Sequence, residues 1–219
     1  AFEMMSRRCM EFACRHDKGA RDPFAAPHAY YALMELTSPR PGEPLRDALE
    51  TVLSAALEDG EVTDAVIAAS TSQARDLWRI RETITEAQKH EGASIKHDVS
   101  VPVSRVPEFV AGATASVEAE LPGIRVVDFG HMGDGNVHFN LSQPEGADGA
   151  AFLAQRERFN RIVHDLAVGM GGSFSAEHGI GTLKRDDLVR YKPAVEVDLM
   201  RRLKAALDPN DIMNPGKVL

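Results

Sequence analysis

The sequence has few cysteines, no long apolar run and no excess of basic charge, and each absence excludes a class of protein. No stretch approaches the roughly 20 apolar residues that a membrane-spanning helix needs, so we expect no transmembrane segment. The formal net charge is −8. Nucleic acid is therefore not an expected partner, because binding to phosphates requires a basic surface.

The two cysteines, Cys9 and Cys14, form no C-x-x-C pair, and no second cysteine cluster is present to complete a zinc site. We interpret them as structural thiols in a reducing compartment. The sequence also shows no charged, then apolar, then small-residue leader. We therefore expect a cytoplasmic protein.

The composition, with 43% apolar and 26% charged residues, is that of an ordinary globular domain. Helical and extended apolar patterns alternate along the chain. We predict helices over 1–16, 45–57, 70–89, 107–121, 147–170, 182–191 and 194–207, and strands over 30–36, 62–68, 95–101, 124–129 and 137–141. This order favours an α+β fold, in which helices cover an antiparallel or mixed sheet, and nothing demands a second domain within 1–219.

Two histidines flank a glycine-rich turn and predict a metal site. His131 and His138 enclose Met-Gly-Asp-Gly-Asn-Val, and in a hairpin the two imidazoles can lie opposite one another and present convergent lone pairs. Glu177 is the best third ligand. Two imidazoles and one carboxylate with an open position form a catalytic arrangement for zinc and also for non-haem iron. Asp134 and Asn136 are interpreted as turn residues.

His178 follows Glu177 directly, so both can serve one site only from an irregular turn, which Gly179 and Gly181 allow. The helical zinc-protease patterns H-E-x-x-H and H-x-x-E-H are absent, the second because position 174 is Phe. From spacing alone, a second interpretation stays open: a glycine-rich loop in which the histidine and the glutamate merely hold each other in place.

An anion-binding face is predicted on the helix over 70–89. Arg81 offers a planar fork suited to a carboxylate, and Thr85 adds a hydroxyl on the same side. Lys96, in the following strand, is a second cation. The alternative for this helix is a solvated face with an Arg-Glu pairing.

Three motifs, in the same order, resemble the C-terminal domain of FAD-linked oxidases of the vanillyl-alcohol oxidase type. They are the segments 129–140, 175–181 and 208–217. Within that family, the segment 81–87 looks most like the D-2-hydroxyglutarate dehydrogenase branch, and the D-lactate dehydrogenases are close to it. The resemblance runs over nearly the whole chain from about Tyr30.

The resemblance implies a role for each site residue. By position, the metal ligands fall on His131, His138 and Glu177, the active-site base on His178, and substrate contacts on Arg81, Thr85, Lys96 and Asn140. The implied cofactors are FAD and a divalent metal, zinc or manganese. The implied reaction oxidises a D-2-hydroxy acid, of the hydroxyglutarate or lactate type, to the 2-oxo acid with hydride transfer to FAD.

The family's FAD-binding domain normally precedes this one, and no glycine-rich, phosphate-cradling segment like it is present here. We therefore expect a single substrate- and metal-binding domain whose partners are a small 2-hydroxy acid and a missing FAD domain of the same polypeptide. Alone, this chain should bind FAD weakly or not at all and show no turnover. The sequence leaves open a homodimer, a flavin-independent non-haem metal enzyme and a non-catalytic binding module.

Overall fold

The computed structural model describes residues 1–219, and an antiparallel sheet lies at the centre of the fold. The strands are β1 (Phe2–Ser6), β2 (Tyr30–Met34), β3 (Ser94–Ile95), β4 (Asp98–Ser100), β5 (Arg125–His131) and β6 (Asn136–Ser142). The helices are α1 (Arg7–His16), α2 (Leu45–Glu58), α3 (Thr71–Lys89), α4 (Val106–Glu120), α5 (Gly149–Leu153), α6 (Arg156–Gly169), α7 (Arg185–Tyr191) and α8 (Ala194–Leu207). No helix is both long and apolar enough to cross a membrane.

Every strand pair in the sheet is antiparallel, in the order β2-β1-β5-β6-β3, and β4 also pairs with β6. The two longest strands, β5 and β6, form the central hairpin. The predicted α+β fold is therefore confirmed, and of the two sheet types considered the antiparallel one is correct.

Helices cover both faces of the sheet, because side chains alternate between the faces along each strand. On one face, Val127 and Phe129 of β5 join a core with α1 and α3. On the other face, Val137, Phe139 and Leu141 of β6 join a larger core with α4 and α6. Both faces of the central hairpin are thereby buried, and the site-bearing ends of its strands sit on a rigid base.

Four predicted elements are wrong. The single strand predicted over 95–101 is divided into β3 and β4, which both pair with β6. The helix predicted over 1–16 starts only at Arg7, because residues 2–6 pair as β1 with strands on both sides. No strand forms over 62–68, where the N–H groups of Glu61 and Val62 instead bond back to the Ala56 carbonyl near the end of α2. The single helix predicted over 147–170 is divided into α5 and α6.

Helix α8 leaves a line of apolar side chains uncovered. Val195, Leu199, Leu203 and Leu207 recur every four residues, which places them along one side of the helix, and all four are exposed. Of the residues in α8, only Val197 is buried. This surface is called the α8 stripe below.

Candidate metal centre

The β5–β6 hairpin places His131 and His138 on one face of the sheet. The register pairs His131 with Asn136 and His138 with Phe129. The two histidines are therefore not directly opposite one another, as the sequence allowed, but are offset by two positions. Because the side-chain period of a strand is two, that offset keeps both imidazoles on the same face, with ring centroids 5.8 Å apart.

The turn between the two histidines depends on Gly135. Its φ is +74°, and a Cβ there would lie 2.0 Å from the Val101 carbonyl oxygen, so only glycine fits. The Asn136 N–H donates to Asp134 Oδ1 at 3.0 Å, which is the turn role predicted for Asp134. The Asn136 side chain reaches past the turn and donates to Asp98 Oδ1 at 2.9 Å.

Glu177 brings its carboxylate to both imidazoles. Its Oε1 lies 3.0 Å from His138 Nε2 and 3.6 Å from His131 Nε2. Ligand atoms bound at about 2.0–2.1 Å to one tetrahedral ion lie about 3.3–3.4 Å apart. One carboxylate oxygen therefore faces both imidazoles, at a separation from His138 below this value and from His131 slightly above it.

His138 is suited to be a ligand because its surroundings keep it neutral. Burial lowers the pKa of its imidazole and outweighs the opposite effect of Asp98 and Glu177. A neutral imidazole keeps a free lone pair, which a metal ion requires.

Asp98 is a central residue of the site that the sequence did not reveal. It is only 1% exposed, and its Oδ2 accepts hydrogen bonds from the N–H groups of Ala176, Glu177 and His178 at 3.2, 2.9 and 2.8 Å. Burial alone would raise the pKa of Asp98, but the hydrogen bonds from His178 and Asn136 hold it below its usual value. Asp98 therefore fixes the loop that carries Glu177.

An alternative set of ligands includes this aspartate. Ligand atoms of Asp98, His138, Glu177 and His178 all lie within 4.8 Å of one another, a group that omits His131. Both oxygens of Asp98 already accept hydrogen bonds, whereas the Nε2 atoms of both hairpin histidines face Glu177. The hydrogen bonds of Asp98 therefore place it in support of the loop at 176–178, and the structure brings Glu177 to His131 as well as to His138.

His178 stands at the mouth of the site. Its backbone is tied to Asp98, while its side chain is 61% exposed, with Nδ1 3.8 Å from Asp98 Oδ2. The ring lies 5.7 Å from that of His138. Gly179 follows with a φ of +70°, and the segment forms bends rather than a strand. The backbone at Glu177 and His178 is therefore irregular, as expected from the glycines that follow.

Arg81 reaches the site through a glutamate that the sequence also did not reveal. Its Nε donates to Glu3 Oε2 at 2.9 Å, and His131 Nδ1 donates to Glu3 Oε1 at 2.8 Å. The guanidinium lies over the Phe129 ring, 4.7 Å from its centroid. Arg81 is therefore paired with a glutamate of β1 in a largely buried ion pair beside His131, and the alternative of a solvated helix face is wrong for this residue.

The other predicted substrate contacts are less closely joined to the centre. Thr85 is exposed one turn beyond Arg81. Asn140 is buried, and its Nδ2 donates to Gln88 Oε1 at 3.1 Å. Lys96 is exposed, and the pairing of β3 and β4 with β6 places it beside Asn140 on the sheet. Although the residue is exposed, partial desolvation of its ammonium group lowers the pKa of Lys96.

The fold and the site define a class of protein: an α+β domain that gathers two histidines, a glutamate and, beside them, an arginine at one end of a β-hairpin. The chain belongs to the family described as FAD linked oxidases, C-terminal domain, whose family model matches residues 1–218. The resemblance seen in the sequence is thereby confirmed.

Curated relatives match along the whole chain. The D-2-hydroxyglutarate dehydrogenase of Xanthomonas citri pv. viticola is 39% identical over 219 residues, and that of Stutzerimonas stutzeri is 37% identical over 219. The probable mitochondrial D-2-hydroxyglutarate dehydrogenase of Oryza sativa subsp. indica is 39% identical over 220 residues. The alignments cover all of this chain but only 45%, 46% and 38% of these relatives.

Proposed function

We propose that this chain is the substrate- and metal-binding domain of a flavin-dependent dehydrogenase that oxidises a D-2-hydroxy acid to the 2-oxo acid. The observation that carries the proposal is the convergence of His131 and His138 on the Glu177 carboxylate, with His178 at the mouth of the site. Its family and the printed names of the relatives support the same reaction.

The metal would be held by His131 Nε2, His138 Nε2 and the Glu177 carboxylate. A divalent cation of the zinc or manganese type supplies positive charge there, which lowers the pKa of a nearby substrate hydroxyl. Two neutral nitrogens and one carboxylate leave a coordination position open, as in catalytic sites.

The remaining side chains bind the acid and move its proton. His178 is exposed beside the ligands and accepts the hydroxyl proton as general base. The terminal nitrogens of Arg81 bind the carboxylate next to the hydroxyl, because its Nε is occupied by Glu3. Lys96 binds the second carboxylate of a dicarboxylic substrate, and Thr85 and Asn140 line the same site. This assignment favours D-2-hydroxyglutarate over D-lactate.

FAD, when bound, accepts a hydride from the substrate carbon. We place the FAD-binding domain outside this chain, since the relatives are more than twice as long as the chain: it covers 45% and 46% of them. The α8 stripe is the surface on which that domain would dock, because four exposed apolar side chains in line lose contact with water on docking. A cytoplasmic location stays a prediction, and the rice relative is named as mitochondrial.

Flavin reduction by a panel of acids tests the proposal. In the longer polypeptide with both domains, D-2-hydroxyglutarate should bleach the bound flavin faster than D-lactate. Lys96→Met should lower kcat/KM for D-2-hydroxyglutarate by about 10–100-fold, as expected for loss of a charge-assisted pair of about 1.5–3 kcal/mol, and change D-lactate turnover little. Lys89→Met, at the exposed end of α3, is the matched control.

Two results would contradict the proposal. One is a flavin that no 2-hydroxy acid reduces, which would favour a non-catalytic binding module. The other is turnover by the 219-residue chain without any flavin, which would favour the non-haem metal enzyme.

A further inference from the structure

We propose that Glu3 is a positioning residue that turns the His131 lone pair toward the metal and holds Arg81 at a fixed place beside it. The inference rests on the proposed function, because it gives His131 and Arg81 the roles of metal ligand and substrate carboxylate ligand. Glu3 itself would touch neither the cation nor the substrate.

The sheet register brings Glu3 to this place. Strands β1 and β5 pair with Glu3 directly opposite His131, and directly opposite residues of an antiparallel pair point to the same face. The Glu3 side chain is only 7% exposed. A buried carboxylate is costly unless its oxygens are fully used, and here each oxygen accepts one hydrogen bond, from His131 and from Arg81.

The hydrogen bond to Glu3 determines which nitrogen of His131 carries a proton. An ionised carboxylate can only accept, so the nitrogen that faces it at 2.8 Å, Nδ1, must be the donor. The neutral imidazole then has its lone pair on Nε2, which lies 3.6 Å from Glu177 Oε1. Carboxylate–histidine pairs of this kind orient metal ligands and raise their basicity.

The second ligand shows a similar orientation. His138 Nδ1 faces Asp98 Oδ1 at 3.8 Å, and its Nε2 faces Glu177. Each hairpin histidine therefore has a buried carboxylate behind it and the Glu177 carboxylate in front. For His131 that supporting role falls to Glu3.

Glu3 also fixes the orientation of Arg81. The guanidinium is planar, so a hydrogen bond at Nε together with the stacking on Phe129 leaves it little freedom to rotate. Nη1 and Nη2 make no hydrogen bond within the protein and stay available to an anion. One carboxylate thereby sets the distance between the cation and the group that binds the substrate carboxylate.

Zinc titration of Glu3→Gln in the full 219-residue chain tests the first role. A glutamine oxygen can accept from His131, but its amide N–H₂ then opposes the N–H of Arg81, so both contacts cannot persist. We expect zinc to bind 10–100-fold more weakly, the range found when such supporting partners are removed. Glu91→Gln is the matched control, because Glu91 also bridges a histidine, His16, and an arginine, Arg125, away from the site.

Nitrogen NMR of the metal-free chain tests the same role without zinc. In the unsubstituted chain His131 should carry its proton on Nδ1. In Glu3→Gln the Nε2–H tautomer should gain population, and in Glu91→Gln His131 should be unchanged. If Glu3→Gln does not fold, Glu3→Asp, which withdraws the carboxylate by one methylene, is measured in the same way.

The outcomes separate this inference from the proposed function. A chain that binds no zinc at all refutes the metal site, and the tautomer of His131 then decides the role of Glu3 by itself. Zinc affinity within twofold of the unsubstituted chain, together with an unchanged tautomer in the Glu3 variant, overturns the inference while the metal site stands.

Discussion

At the scale of single residues, two buried carboxylates hold the side chains of the candidate site in place. Asp98 accepts hydrogen bonds from three consecutive N–H groups of the loop 176–178, and Glu3 pairs with His131 and Arg81. Neither residue belongs to a recognisable motif, because its partners lie far away along the chain. The motif residues His131, His138 and Glu177 were visible in the sequence because two histidines around a glycine-rich turn and a nearby Glu-His pair are a local signal.

Asp98→Asn should loosen the loop. The neutral amide loses charge-assisted hydrogen bonds, so we expect a loss of about 1–3 kcal/mol of unfolding free energy in urea, together with weaker zinc binding. Asp148→Asn is the control, because Asp148 also accepts a backbone N–H, from Ala151 at 2.7 Å, and Asn caps a helix as well as Asp. Equal stability of the two variants would show that Asp98 does not hold the loop.

Two buried histidines should make the fold sensitive to acid. Burial lowers the pKa of His97 to about 3 and that of His164 to about 4. The unfolded chain takes up these protons near pH 6.5, whereas the folded chain takes them up only near pH 3–4. Stability contributed by these groups is therefore present above about pH 6.5 and is lost as the pH falls from there to the folded pKa values.

His97→Asn tests this pH dependence. The asparagine amide can replace His97 Nδ1, which donates to the Phe139 carbonyl at 2.7 Å, but it does not titrate. The slope of unfolding free energy against pH between 6 and 4 should fall by about 1.4 kcal/mol per pH unit. His90→Asn, at the exposed end of α3, should leave the slope as it is. An unaltered slope in the His97 variant would refute the assignment.

At the scale of elements, the helices and strands that local sequence patterns determine could be predicted. Those that depend on pairing with distant strands could not. The hairpin, α2 and α8 were predicted closely because periodicity and turn residues are local signals. Strand β1 was mistaken for part of a helix because its apolar residues also suit a helical period, and only its neighbours β2 and β5 make it a strand. Within the hairpin, the turn at 132–135 pairs His131 with Asn136 and so determines the register.

The hairpin turn should be intolerant of a side chain at Gly135. Gly135→Ala forces a positive φ on a residue with a Cβ, which costs about 1–3 kcal/mol, and presses that Cβ against the Val101 carbonyl. Urea unfolding should show the loss, and zinc binding should weaken as His131 moves. Gly133→Ala in the same turn meets nothing within 4 Å and should be neutral. Similar losses in both variants would contradict the geometry of the turn.

At the scale of the whole molecule, the sheet joins parts of the chain that are distant in sequence. Glu3 on β1, the hairpin histidines and the loop at 176–178 meet at one end of β5 and β6. Helices α1, α3, α4 and α6 cover the faces behind them. The α8 stripe lies outside both cores, and this is why we assign it to contact with the FAD domain.

Hydrogen exchange tests whether the α8 stripe is covered in the longer polypeptide and uncovered in the 219-residue chain. Amides of α8 should exchange more slowly in the longer polypeptide than in the 219-residue chain, because docking would bury the α8 stripe. Amides of α4, whose apolar residues are already buried, serve as the internal control. Equal exchange of α8 in both proteins would place the FAD domain elsewhere.

The central claim is that His131, His138 and Glu177 hold one divalent cation. Calorimetric titration of zinc into the metal-free chain tests it most directly, with each of the three residues changed to alanine in turn. The account predicts one ion per chain and at least about a tenfold loss of affinity in every variant, while Ala substitution of the distant His28 changes nothing. Zinc that binds equally well to all three variants would contradict it.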